Sequence, residues 1–187
     1  EKTLPYLEKY FYNAEKEYSE ENNKRASEIV DSSLTYVLGK EPKLTSKTLV
    51  LAPVAQAKTI IEDEFDERNL AKVLRKDEAF KNVDIREFEQ SEEFKNQILS
   101  ELASFDQVII FSYNAAVSKV QVDFINAVLE NKKEVTIISL KGPMDYNKYQ
   151  NLNNYLCLYE YTPNSIRTVV KYLKGELAPL GKLTIKL

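Results

Sequence analysis

The chain has 187 residues, with 26 Lys and Arg against 29 Asp and Glu for a formal net charge of −3, and it contains no histidine, four glycines, one cysteine and one methionine. Without histidine there is no Ser-His-Asp or Cys-His nucleophilic system and no imidazole-ligated metal, and four glycines cannot assemble a G-x-G-x-x-G or phosphate-cradling Walker loop. A near-balanced charge offers no basic face for nucleic acid, and no apolar run approaches the ~20 residues of a membrane span.

The chain opens at Glu1-Lys2-Thr3-Leu4-Pro5 rather than at a methionine, since Met144 is the only one. A domain cut from a longer protein is expected, ahead of a processed terminus or a removed tag. Leu4, Leu7, Tyr10 and Phe11 recur at helical spacing, and Ala26, Ile29, Val30, Leu34 and Val37 form a second stripe, so residues 1–38 are expected to be helical. Gly39 is placed as the C-cap, with Pro42 preventing resumption. Residues 1–46 then form a helical lead-in and linker, and residues 47–187 a separate α/β domain.

From Thr48 onward short apolar runs alternate with amphipathic stretches. Strands are expected at Thr48–Ala52, Val83–Phe88, Gln107–Ser112, Glu134–Leu140 and Tyr155–Tyr161. Helices are expected at Ile60–Arg75, Glu92–Ser104, Lys119–Asn131 and Ser165–Lys174. Alternation with short connections predicts an α/β fold, a three-layer α/β/α sandwich around a mostly parallel sheet of five to six strands. Val83 to Phe88 alternates polar and apolar residues and is placed near an edge. Leu183 to Leu187 alternates too and is expected to add a C-terminal edge strand.

Ligands of open α/β sheets sit beyond the carboxyl ends of the strands. Pro53-Val54-Ala55-Gln56, after the first strand, lacks the hydroxyls and carboxylates of a flavin or receiver site, and no cofactor is expected. Ser112, Tyr113 and Asn114 follow the third strand and are candidates to contact a substrate; equally, they suit capping of the next helix. Asp145, after the fourth strand, is a candidate to bind a sugar hydroxyl or to serve as a carboxylate catalyst, against the alternative of a turn or N-cap aspartate. Tyr161-Thr162-Pro163-Asn164-Ser165 reads as a helix start. Cys157 lies inside an apolar run with no base to activate it, and is expected to be a buried structural thiol. The twelve tyrosines suit either a sugar-stacking platform or core packing.

Gly175-Glu176-Leu177-Ala178-Pro179-Leu180-Gly181-Lys182-Leu183-Thr184-Ile185 resembles the closing motif of the C-terminal α/β domain of family 3 glycoside hydrolases, with Thr184 where proline is usual. Ile137-Ile138-Ser139-Leu140-Lys141-Gly142-Pro143-Met144-Asp145 is similar to that family's strand ending in Pro-Tyr-Asp, with Met144 replacing the aromatic residue. Tyr155 to Leu173 and the lead-in Ala26-Ser27-Glu28-Ile29-Val30 extend the likeness, which is nearest to the β-N-acetylhexosaminidase branch. The resemblance implies a non-catalytic domain packed on a (β/α)8 barrel that carries the nucleophile and acid/base groups. The implied partners are that barrel and a β-linked amino sugar or peptidoglycan fragment at a shared cleft. A stand-alone sugar-binding module of the same fold is the alternative. A flavodoxin-like nucleotide or flavin binder, suggested by topology alone, is disfavoured by the loop after Ala52.

Overall fold

Leu49, Val50, Leu51 and Ala52 are all fully buried, as are Val108, Ile109, Val135, Ile137 and Ile138. Side chains alternate across a strand, so a run buried at every position needs cover on both faces of its sheet. The computed structural model, which describes residues 20–54 and 69–185, provides that cover. Its strands are β1 (Thr35–Leu38), β2 (Thr48–Pro53), β3 (Asp84–Phe88), β4 (Gln107–Ser112), β5 (Val135–Ser139) and β6 (Asn154–Cys157). Its helices are α1 (Glu20–Ser33), α2 (Leu70–Lys76), α3 (Glu92–Glu101), α4 (Lys119–Asn131) and α5 (Pro163–Leu173).

The strands form one six-stranded sheet in the order β1-β6-β5-β4-β2-β3. Every pairing is parallel except β1 with β6. Val50, Ile109, Phe111, Ile138 and Leu156 pack on one face against Leu74 of α2 and Ile166, Val169 and Tyr172 of α5. Leu51, Ile110, Ile137 and Tyr155 pack on the other against Ile98 of α3 and Phe124, Ile125 and Val128 of α4. The result is the expected three-layer α/β/α sandwich. Each fully buried Leu, Ile or Val in these layers contributes roughly 1.5–3 kcal/mol relative to leaving it in water.

Several boundaries are fixed by local chemistry. Ser118 caps α4 by accepting from the Gln121 amide, and Ser91 caps α3 by accepting from the Phe94 amide. α5 starts where the sequence reads as a helix start, with Pro163 in its first turn, and there Thr162 and Ser165 form a reciprocal capping box. β3 is an edge strand, also as expected, and β1 forms the opposite edge. The outward Ile85 carbonyl of β3 accepts hydrogen bonds from Arg75 Nε and Nη2 at 3.2 and 2.8 Å, which blocks that edge against further pairing.

Three expectations for the N-terminal segment need correction. The second helical stripe does not run to Val37: α1 ends at Ser33, and Thr35–Leu38 becomes the sixth strand, β1. The β-branched and aromatic residues Thr35, Tyr36 and Val37 favour a strand when a sheet edge is available. Gly39 is therefore not a helix cap. It follows β1 with φ +92°, and a Cβ there would collide with Asn154 Oδ1 and the Asn153 carbonyl. Nor is Ile29 on an inward stripe, since it is 68% exposed. α1 instead meets α5 through polar contacts, Ser27 Oγ to Asn164 Oδ1 at 3.2 Å and Asp31 to Thr168 and Lys171, each at 2.6 Å.

The C-terminal edge strand expected at Leu183–Leu187 does not form over the described residues 183–185; the nearest pairing is one parallel bridge between Gly181 and Thr35. The helical reading of residues 1–19, the loop residues Ala55 and Gln56, the first part of the helix expected at Ile60–Arg75, and the last two residues lie outside the described residues.

Candidate functional site at the carboxyl end of the sheet

The chain passes from β2 outward to β3 and then crosses back to β4, so the direction of winding reverses between β2 and β4. Ligand crevices of open sheets open at such reversals. The four residues singled out from the sequence all lie at this end of the sheet: Ser112 ends β4, Tyr113 and Asn114 follow it, and Asp145 follows β5.

Asp145 is 3% exposed, and both its oxygens are occupied. Oδ1 accepts from the Ala116 amide at 2.8 Å, and Oδ2 accepts from the Ala115 amide and from Ser112 Oγ, each at 3.3 Å. The carboxylate thus caps the 3₁₀ turn Ala115–Val117 from the neighbouring turn Pro143–Lys148. Ser112 is fully buried beneath it. Charge-assisted bonds to two otherwise unpaired amides join the two loops firmly. This is a capping aspartate, but the amides it caps belong to a segment 29 residues away in sequence.

Asn114 adopts the left-handed conformation at φ 53° and makes no side-chain cap bond, a conformation asparagine tolerates better than most residues. The capping expected of it falls instead to Asp145 for the turn and Ser118 for α4. Tyr113 packs its ring 5.8 Å from that of Tyr161, and Lys141 Nζ lies 5.9 Å over the Tyr113 ring. The Gln121 side chain pairs with the Tyr113 backbone, accepting from its amide at 3.0 Å and donating to its carbonyl at 3.3 Å. Ser112 and Asp145 therefore build the loop, while Tyr113 and Asn114 stand half-exposed at its surface.

Cys157 is fully buried in register with Ser139 of β5. Burial pushes its thiol up to about 12, so it stays protonated and unreactive near neutral pH.

A second feature went unrecognised in the sequence. An open cavity of about 360 Å³ lies between the ends of α1, β1 and β6, lined by Ser33, Thr35, Pro143, Tyr159 and residues 181–185. Tyr159 is held at φ 68° and donates its hydroxyl to Thr35 Oγ1 at 2.9 Å, which in turn donates to the Ser33 carbonyl at 2.8 Å. Gly181 passes against this pair; a Cβ there would strike Thr35 Oγ1 and the Ser33 carbonyl. Only that glycine marks the close approach in the sequence, because Tyr159 reads as part of a strand.

Among the described residues no cluster of three or more His, Cys, Asp or Glu side chains could hold a metal ion. Likewise no described helix is long and apolar enough to cross a membrane.

Neither protein-family models nor curated proteins match the sequence. Solved structures do. A family 3 glycoside hydrolase, a β-N-acetylglucosaminidase from Paenibacillus sp., superposes with a TM-score of 0.70 at 22% identity over 88% of this chain and 32% of that one. A fungal multi-domain family 3 β-N-acetylglucosaminidase gives 0.67 at 23% identity, over 90% of this chain and 19% of its own. A family 3 β-glucosidase from Bifidobacterium adolescentis gives 0.59 at 13% identity, over 84% and 27%. The chain has the fold of one segment of these glycoside hydrolases. It spans about a third or less of their length.

Proposed function

We propose that this chain is the non-catalytic α/β domain of a family 3-like β-N-acetylhexosaminidase, joined to a (β/α)8 domain that carries the catalytic groups. The observation that carries this reading is the state of Asp145. It is the buried carboxylate at the strand ends, and Ser112 and two backbone amides take up both of its oxygens. A general acid or nucleophile needs an oxygen free to meet the glycosidic bond. The partial coverage of the matched glycoside hydrolases supports the same reading, since about two thirds of the Paenibacillus chain has no counterpart here.

In this reading the parent hydrolyses a β-linked N-acetylhexosamine, and this domain borders the sugar cleft. Tyr113 and Asn114 are the side chains placed to touch the sugar; Ser112 and Asp145 hold the loop that presents them. Calorimetric titration with N-acetylglucosamine oligomers tests the division of labour. The isolated chain is expected to give no saturable heat below the millimolar range. Micromolar binding by this chain alone would overturn the reading in favour of a stand-alone carbohydrate-binding module.

A further inference from the structure

No residue of α1 is buried, whereas α2, α3, α4 and α5 each bury apolar side chains against the sheet. Polar contacts hold α1 to α5 instead, and they fall in a line. Ser27 and Asp31 stand one turn apart on α1, as Asn164 and Thr168 do on α5, so residues four apart share a face on each helix. Ser27 Oγ donates to Asn164 Oδ1 at 3.2 Å, and Thr168 Oγ1 donates to Asp31 Oδ1 at 2.6 Å. Lys171 Nζ, three residues beyond Thr168, closes on Asp31 Oδ2 at 2.6 Å.

Left to itself this sequence is a weak helix. Its 14 residues are a marginal length for a helix in water, and Asn22, Asn23, Ser27, Asp31, Ser32 and Ser33 are poor helix formers. Ser32 and Ser33 turn their hydroxyls back on the Ile29 and Val30 carbonyls at 2.9 and 2.8 Å, a local bond that weakens helices. The pairs Glu21–Arg25 and Lys24–Glu28 are more than half exposed and contribute little. The last turn carries no basic residue. It carries Asp31, where the negative end of the helix dipole repels a carboxylate. Asp31 therefore opposes the helix alone and favours its docking, because its charge meets Lys171 of α5.

The residues that follow are anchored differently. Leu34 and Thr35 are buried. The Leu34 carbonyl accepts the Gly181 amide at 2.9 Å, and Thr35 pairs with Cys157 of β6. Separating α1 from α5 would bare Asn164, Thr168 and Lys171, all of which water can hydrate. It would leave β1 and both apolar clusters in place, since no described residue of α1 belongs to either cluster. Ser33, the last residue of α1, lines the cavity beside Pro143 and Tyr159, so the same movement frees one wall of it.

We propose that α1 is a releasable strap. It is helical only while Asp31 latches it to α5, and it lets go as a unit, pivoting at Ser33–Leu34, with the sheet intact. Hydrogen exchange of the 187-residue chain tests this. Protection at residues 24–33 is expected to lie about a hundredfold or more below that at Val108–Phe111. It is also expected to be nearly independent of low urea, because local opening exposes little surface. Asp31→Ala separates docking from helix strength by sign. Alanine is the better helix former and removes the misplaced charge, so a helix stable on its own would exchange more slowly. The strap is expected instead to lose about tenfold in protection, because the lost hydrogen bonds to a charged group outweigh that gain. Protection at 108–111 is expected to stay unchanged. Lys171→Met leaves the sequence of α1 untouched and is expected to speed exchange of the same amides. Equal protection of α1 and β4 with equal urea dependence would overturn the proposal, because α1 would then open only with the whole domain. Slower or unchanged α1 exchange in Asp31→Ala would overturn it too, because the contact with α5 would then not hold the helix.

Discussion

The Asp145 carboxylate accepts a 2.8 Å hydrogen bond from the backbone amide of Ala116, linking the loops that leave two neighbouring strands. Replacing Asp145 by Ala removes the acceptor for that amide and for Ala115 and Ser112 at once. A buried donor left without its partner costs about 1–3 kcal/mol. The expected result is a loss of that order in denaturant-unfolding free energy, with faster hydrogen exchange at Ala115 and Ala116. Unchanged stability and exchange would show that the carboxylate does not hold the loop.

Gly181 marks the close approach between the C-terminal segment and β1. Its amide donates to the Leu34 carbonyl at 2.9 Å, and there is no room beside it for a Cβ. Gly181→Ala is expected to destabilise the chain by about 1–3 kcal/mol, the usual range for overpacking. Gly175→Ala gives a contrast, since it meets no neighbouring atom but has φ +74°. Its loss comes from backbone strain alone and is expected to be about 1 kcal/mol. Chemical denaturation of both variants checks the order.

Much of this architecture is legible in the residues. The β4 run Gln107–Ser112 and α4 at Lys119–Asn131 coincide with their sequence readings, because uninterrupted apolar runs and a serine cap are local signals. β1 is not legible in the same way. Leu34 and Val37 fit a helical stripe as well as a strand, and only pairing with β6, more than a hundred residues later, decides between them. Ser112 and Asp145 are recognisable as unusual polar residues at strand ends. Their partnership with two alanine amides is a tertiary contact with no local signature.

Burial raises the Tyr36 phenol to about 12, the Cys157 thiol to about 12, and the phenols of Tyr149, Tyr155 and Tyr172 further still. In the unfolded chain a thiol releases its proton near pH 8.5 and a phenol near pH 10. Between those values and the folded ones the unfolded state binds fewer protons, so stability is intact below about pH 8.5 and falls as pH rises toward 12. Circular dichroism across this range is expected to show cooperative alkaline unfolding, delayed in Tyr36→Phe. Ellman's reagent at pH 8 is expected to find Cys157 only after denaturation. Prompt reaction of the native chain would contradict its burial.

At acid pH the relevant pair is Arg86 with Glu101, 2.7 Å apart. The guanidinium holds the Glu101 carboxyl below its ordinary value, helped by a bond from Gln97. A depressed folded pKa stabilises above the unfolded value of about 4.3 and loses that contribution as pH falls through the folded one. Glu101→Gln is therefore expected to lower stability at pH 7 and to flatten its decline below about pH 4.3. The size should stay under about 1 kcal/mol, as for other partly exposed ion pairs. Urea midpoints of both proteins at pH 7 and pH 3 measure the difference.

The measurement that bears most directly on the account is aryl N-acetyl-β-glucosaminide hydrolysis, run side by side on this chain and on the full-length product of its gene. The account predicts turnover by the full-length protein and none above the uncatalysed rate by this chain. Turnover by this chain alone, abolished by replacing one of its own carboxylates without loss of the fold, would contradict it.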